Sequence, residues 1–200
     1  MQTPGNHWYH CILSTYGSWV RGDTRGWRSR RHREHVDGDY RQPPSRELHE
    51  PERRQSFQQM TRPVVVLTPQ QRDVICQAIG EYLSRFQITF AECCVSATHA
   101  HLLAQIPPSA HQLITGMTPG NVLIDGRSPL PRHLVGRIKA HTTFTLRSRG
   151  LRNDAGGLWG VRSKIIPIRD RDHQLNVVRY IRSHTEEGAS VWSFLQQRPE

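Results

Sequence analysis

Two histidines flank a single small residue in Thr98-His99-Ala100-His101-Leu102-Leu103, between the apolar runs Ile88–Val95 and Leu102–Ile106. If this stretch is extended, alternation points His99 and His101 out of the same sheet face, with Ala100 behind them. Two imidazoles side by side on a rigid strand make two-thirds of a metal site. The segment Asn176-Val-Val-Arg-Tyr180-Ile-Arg-Ser-His184 can supply the rest. Read as a helix, it stacks Tyr180 and His184, four residues apart, on one face. Leu175, Val178 and Ile181 form the adjacent apolar stripe, which holds phenol and imidazole at a rim. Brought together, three imidazoles could hold a divalent ion that polarises a phosphate and orients it for in-line attack. The tyrosine would be the nucleophile, and a covalent phosphotyrosine would keep the bond energy for re-ligation.

The elements that must position these residues follow from periodicity and punctuation. His7–Thr15 is aromatic and β-prone and reads as the first strand. A glycine- and tryptophan-rich loop runs from Tyr16 to Trp27, and Arg28–Arg62 is polar with no sustained period, an extended excursion that is partly ordered at most. Thr68-Pro69-Gln70-Gln71 is a helix start with a capping box. Val74, Ile75, Ala78, Ile79, Tyr82, Leu83 and Phe86 then fall on one helical face. Strands follow over about Ile88–Ala97 and His99–Ile106, and Pro107–Pro131 is a second insertion. A helix over Pro131–Arg147 carries Leu134, Ile138 and Phe144; a strand spans Leu158–Ile168; a last helix runs from Asp170 to about Glu187 and stops at Gly188. The order β, loop, α, β, β, α, β, α predicts an α+β fold, a ferredoxin-like antiparallel sheet with helices on one face. The 200 residues are expected to form one domain with insertions at about 28–62 and 107–131.

The chain has 27 basic and 17 acidic residues and a formal net charge of +10, with Lys139 and Lys164 its only lysines. Arginine forks match phosphates and guanine edges, so this balance favours a polyanionic partner, the alternative being a GC-rich genome that writes arginine wherever a surface charge is wanted. Arg137 and Lys139 on the second helix, Arg179 and Arg182 beside Tyr180, and Arg21 are the candidate phosphate contacts. Trp19 is a candidate stacking platform for unpaired bases, whereas Trp159 reads as core. Cys11, Cys76, Cys93 and Cys94 lie in apolar stretches without CxxC spacing and read as buried thiols. No apolar run reaches the roughly 20 residues of a membrane span. The opening Met-Gln-Thr-Pro-Gly-Asn-His has no basic-then-apolar leader, so a cytoplasmic, nucleoid-associated protein is expected.

With twelve histidines in the chain, a His-x-His pair arises readily by chance; the ordered combination is what carries information. His99-Ala100-His101 resembles the HUH motif of the single-tyrosine HUH transposases, which include insertion-sequence enzymes and the tyrosine transposases associated with REP palindromes. Tyr180-Ile-Arg-Ser-His184 is similar to that family's Tyr-Ile/Val-x-x-Gln/Asn helix. Arg137-Ile-Lys139 resembles its second helix, Gly157-Leu-Trp159-Gly its Trp-containing strand, and Thr15–Trp27 the opening of a bacterial REP-type subgroup. The resemblance implies a single-stranded or hairpin DNA substrate, Mg2+ or Mn2+, and cleavage through a 5′-phosphotyrosine with a free 3′-hydroxyl. It makes Tyr180 the nucleophile and His99 and His101 metal ligands, with His184 in place of the usual amide. Relatives act as monomers or as a homodimer that completes each site with the partner's tyrosine helix. Three positions depart from the pattern: Ala100 is smaller than the usual Val or Ile, Thr98 stands where Asn is frequent, and His184 makes the donor set softer, towards manganese, nickel or zinc. A hairpin-binding protein that no longer cuts, and a hydrolase activating water on three histidines, are the alternatives. A hydrolase would tolerate Phe at position 180.

Overall fold

A computed structural model describes residues 7–28, 35–37, 45–107 and 130–193. The insertion expected at about 107–131 lies almost wholly outside them, as does part of the one at 28–62. Five strands form one sheet in the order β6-β1-β5-β4-β7: β1 (His7–Thr15), β4 (Phe90–Val95), β5 (His99–Ile106), β6 (Trp159–Pro167) and β7 (Ser190–Ser193). Every neighbouring pair is antiparallel. Helix α2 (Pro69–Arg85) connects β1 to β4 and helix α3 (Leu130–Ser148) lies between β5 and β6. This is the expected ferredoxin-like α+β arrangement, extended by β7 at one edge.

Alternation along the strands divides the molecule into two layers. Cys93, Val95, Ala100, Leu102 and Ala104 face α2 and α3, where they pack with Ile75, Ile79, Leu83, Leu134, Ile138 and Leu146 in the main core. The opposite face carries Cys94 and Leu103. They pack against Ile168, Val177, Ile181 and Ala189, so helix α4 (Arg171–Ser183) covers that side. The two crossover helices share one face as expected, and the helix carrying Tyr180 is added on the other. Because His99 and His101 have the parity of Leu103, they point at α4.

Local signals account for much of this. Thr68 Oγ1 accepts from Gln71 N at 3.3 Å and the Gln71 side chain accepts from Thr68 N at 3.0 Å, the reciprocal cap anticipated for α2. Asp170 caps α4 by accepting from His173 N at 2.7 Å. Trp159 is core, its indole N–H donating to Thr142 Oγ1 at 2.9 Å. All four cysteines are buried and free.

Several expectations are corrected. Phe144 is 70% exposed, because the buried face of α3 runs through Leu134, Ile138, Thr142 and Leu146 and Phe144 sits more than a quarter-turn away. Described parts of the excursion after Arg28 carry elements that its composition does not signal. Short strands β2 (Gly26–Arg28) and β3 (His35–Asp37) pair, and helix α1 (Glu50–Gln58) follows a 3-10 turn at Arg46–His49. Helix α1 buries no side chain of its own. It is held by the Tyr16–Trp27 loop, where Gly22, at φ +86°, lets the backbone of Arg53 approach too closely for a Cβ, and Ser56 Oγ donates to Arg21 O at 3.0 Å. Helix α4 ends at Ser183 and not near Glu187; separate turns continue to Gly188. Strand β7, not anticipated, packs Trp192 against Gly80 of α2, where any side chain would collide with the indole.

Candidate metal centre and nucleophile

Strand β5 supplies His99 and His101, and His184 is the C-terminal capping residue of α4. One nitrogen from each of the three imidazoles lies within 4.8 Å of the other two. Hydrogen bonds fix which nitrogen that is. His184 Nδ1 is 2.8 Å from the Tyr180 carbonyl, which can only accept, so Nδ1 carries the proton and Nε2 keeps a lone pair. Ser96 Oγ lies 2.8 Å from His99 Nδ1 and 3.1 Å from the His99 carbonyl; donating to the carbonyl, it accepts from Nδ1. In that tautomer His99 Nε2 is a second lone pair, 3.3 Å from His184 Nε2. The contact is a hydrogen bond where one of these nitrogens carries the proton, and two lone pairs open to a cation where neither does. The separation is also what two nitrogens about 2.0–2.1 Å from a first-row ion would span. His101 Nε2 is buried with no partner, an orphaned atom of the kind a metal ion satisfies. The donor set therefore fits a divalent ion.

Burial, helped by neighbouring charge, keeps His99, His101 and His10 neutral. Desolvation lowers His99 from 6.5 to about 4, helped by His184 and Arg25. It lowers His101 to about 2, with His99, His10 and His184 adding to the effect. His10 falls to about 4, first through desolvation and then through His173, Lys164 and His184. Neutral imidazole is the form that ligates.

A pH dependence of stability follows for the metal-free protein. Folded-state values below the 6.5 of the unfolded chain mean that the folded state binds fewer protons. The stability they confer is complete above about pH 6.5 and is lost as pH falls towards 4. In EDTA, Tm is expected to drop by roughly 5 °C or more between pH 7 and pH 5. A flat Tm across that window would contradict a buried neutral cluster.

Tyr180 stands over the cluster. Its ring meets His101 edge-on with centroids 5.2 Å apart and His184 at 4.7 Å, and it remains 48% exposed. Val177 and Ile181 are the fully packed members of the helix face, with Val178 and Leu175 only partly buried. A phenol is thus presented to solvent directly beside the nitrogens.

The candidate phosphate contacts are dispersed. Arg137 and Lys139 lie on α3, across the sheet from the imidazoles. Arg137 is exposed, whereas Lys139 Nζ donates to the carbonyls of Gly160, Val161 and Arg162 at 2.7–3.3 Å, and its burial lowers its pKa to about 8. Arg179 is exposed and reaches Asn176 Oδ1 at 3.2 Å. Arg182 is committed to Glu92 on β4. Arg21 is exposed, its guanidinium 5.0 Å from the Trp27 ring centroid. Trp19 is 45% exposed, with Arg25 stacked at 4.6 Å and its indole N–H donating to Gly26 O. Its loop is tied to the site: Arg25 Nη2 donates to Ser18 O at 2.6 Å, and Ser18 Oγ donates to Thr98 O at 3.0 Å, next to His99.

Sequence reasoning missed His10. It is 5% exposed on β1, and its Nε2 is 2.9 Å from His101 Nδ1. No local sequence signal marks it: its place one pleat along the same sheet face comes from the register, in which Ile12 pairs with His101 and His10 with Leu103.

Among the described residues, no helix is long and apolar enough to cross a membrane. No protein-family model matches the chain, and no curated protein does. Among solved structures, a REP-associated tyrosine transposase bound to a REP hairpin is similar at a TM-score of 0.41 and 10% identity, over 94% of this chain and 72% of that one.

Proposed function

We propose that the protein is a metal-dependent DNA strand transferase that cuts single-stranded DNA beside hairpins through a tyrosine linkage. The observation that carries this reading is the half-exposed phenol of Tyr180 packed edge-on against two of three converging imidazoles. A hydrolase needs the nitrogens but has no use for an exposed phenol at that position. Tyr180 Oη, losing its proton, attacks the scissile phosphorus. A P–Oη bond forms as the P–O3′ bond breaks, and the departing 3′ oxygen takes up a proton. The 5′ end stays on Tyr180, and a 3′-hydroxyl can attack it in reverse to rejoin or transfer the strand. His99, His101 and His184 would hold the ion, whose chemistry is to neutralise and polarise the phosphate oxygens. Three nitrogen donors favour manganese or zinc over magnesium. The net charge of +10, the exposed Arg21, Arg137 and Arg179, and Trp19 suit an unpaired strand as partner.

The test incubates the protein with 5′-tailed hairpin oligonucleotides and Mn2+, then seeks SDS-resistant adducts and maps the modified peptide. An adduct on Tyr180 is expected. Hairpin binding without an adduct in manganese, magnesium or zinc would instead make the protein a non-cutting hairpin binder.

A further inference from the structure

We infer that His10 is a positioning residue that holds His101 in the tautomer able to bind metal; this rests on the metal-centre reading above. His101 has two nitrogens and only one can face the other imidazoles. Its Nδ1 lies 2.9 Å from His10 Nε2 on the neighbouring strand, while its Nε2 is buried without a partner. One proton must lie between the two rings. If it sits on His101 Nδ1, His10 Nε2 accepts it and His101 Nε2 offers a lone pair. If it sits on His10 Nε2, His101 carries its proton on Nε2, which closes the ligand position. Only the first arrangement leaves His101 Nε2 able to take a metal ion, so metal binding selects it.

The other two ligands have Nδ1 partners close in sequence: Ser96 Oγ for His99 and the Tyr180 carbonyl for His184. His101 has no such local acceptor. It lies in mid-strand, where backbone oxygens serve the ladder with β1 and β4, and Ala100 and Leu102 beside it point to the opposite face. The acceptor comes from a residue 91 positions away, placed by the β1–β5 register. Partners of this kind orient a ligand ring and raise its basicity. Each of the three imidazoles thus has its Nδ1 engaged and its Nε2 directed inward.

The experiment compares wild type, His10→Gln and His10→Phe. Glutamine keeps an acceptor at comparable reach; phenylalanine keeps the bulk and removes it. The His101 tautomer is read in metal-free protein from long-range proton–nitrogen NMR correlations, and affinity is read by titration with cobalt(II) alone, followed by visible absorption. We expect His101 protonated on Nδ1 in wild type and His10→Gln, with cobalt affinities within a few-fold of each other. In His10→Phe, the proton should move towards Nε2 and affinity should fall roughly 10–100-fold. Unchanged tautomer and affinity in a folded His10→Phe would reduce His10 to packing. If that variant does not fold, His10→Gln decides: folded protein with a roughly tenfold loss of affinity overturns the inference. Wild type that fails to bind cobalt, while the tautomer still depends on residue 10, would remove the metal-centre reading and leave His10's control of His101 standing.

Discussion

Tyr180→Phe is expected to abolish covalent DNA adducts, at least about a 10^3-fold loss, while hairpin binding and metal affinity stay within a few-fold of wild type. The separation follows from how position 180 is built. Its ring supplies the edge contacts to His101 and His184, and phenylalanine keeps that ring. His184 is anchored through the backbone carbonyl of residue 180, so its tautomer does not depend on the phenol. The side chain is half exposed, and stability should move by no more than about 0.5 kcal/mol. What is lost is the hydroxyl oxygen alone, and no neighbouring group within the cluster can form the same phosphoester. The product pattern discriminates mechanisms: strand cleavage that persists in Tyr180→Phe without any adduct would mean that water is the nucleophile and that the protein is a three-histidine hydrolase. Loss of hairpin binding together with the adduct would make Tyr180 a DNA contact and not the attacking group.

How much of this could be read from the chain depends on how far apart the interacting residues lie. The common face of His99 and His101 follows from a two-residue repeat, and the Thr68 cap from three-residue spacing; both are local and both were legible. The stacking of Tyr180 over His184 was legible for the same reason, although the imidazole proves to be the helix cap and not a residue within the helix. His10 was not legible, because its meeting with His101 depends on the register between strands with a long, polar excursion between them. Lys139 carries the charge of a phosphate contact but not the information that three carbonyls of β6 surround its ammonium. Phe144 was placed on the core side because it is apolar, whereas the α3 repeat through Leu134, Ile138 and Leu146 leaves it facing solvent. Helix α1 has no apolar face to detect; its order comes from the glycine-permitted contact with the Gly22 backbone. Composition favours a polyanion as partner, but which basic residues remain available is decided by tertiary ion pairs.

Arg182 shows this most sharply, and Arg182→Ala is expected to act on stability before it acts on DNA. Glu92 is 1% exposed on β4, and its Oε1 accepts from Arg182 Nε at 2.9 Å, from Arg182 Nη2, and from Ser193 Oγ at 2.9 Å. The pair ties α4 to β4 and, through Ser193, to the edge strand β7. Removing the guanidinium leaves a buried carboxylate held by one hydroxyl, with Oε2 already lacking a partner. Breaking a fully buried pair costs about 3–5 kcal/mol; because the Arg182 side chain is 49% exposed and water can reach the gap, about 2–3 kcal/mol is the better expectation. In a chain of this size that corresponds to a Tm lower by roughly 5–10 °C. Adding Glu92→Gln should restore more than half of the loss, since the uncompensated charge is then gone. A phosphate contact behaves differently: it would lower the salt dependence of hairpin binding by about one unit in the log–log slope and leave Tm alone. Arg179→Ala, at an exposed site one turn of chain away on α4, is expected to show that second pattern. If Arg182→Ala shows it instead, with Tm unchanged, the guanidinium leaves Glu92 to reach the nucleic acid and the ion pair contributes little to holding the tyrosine helix in place.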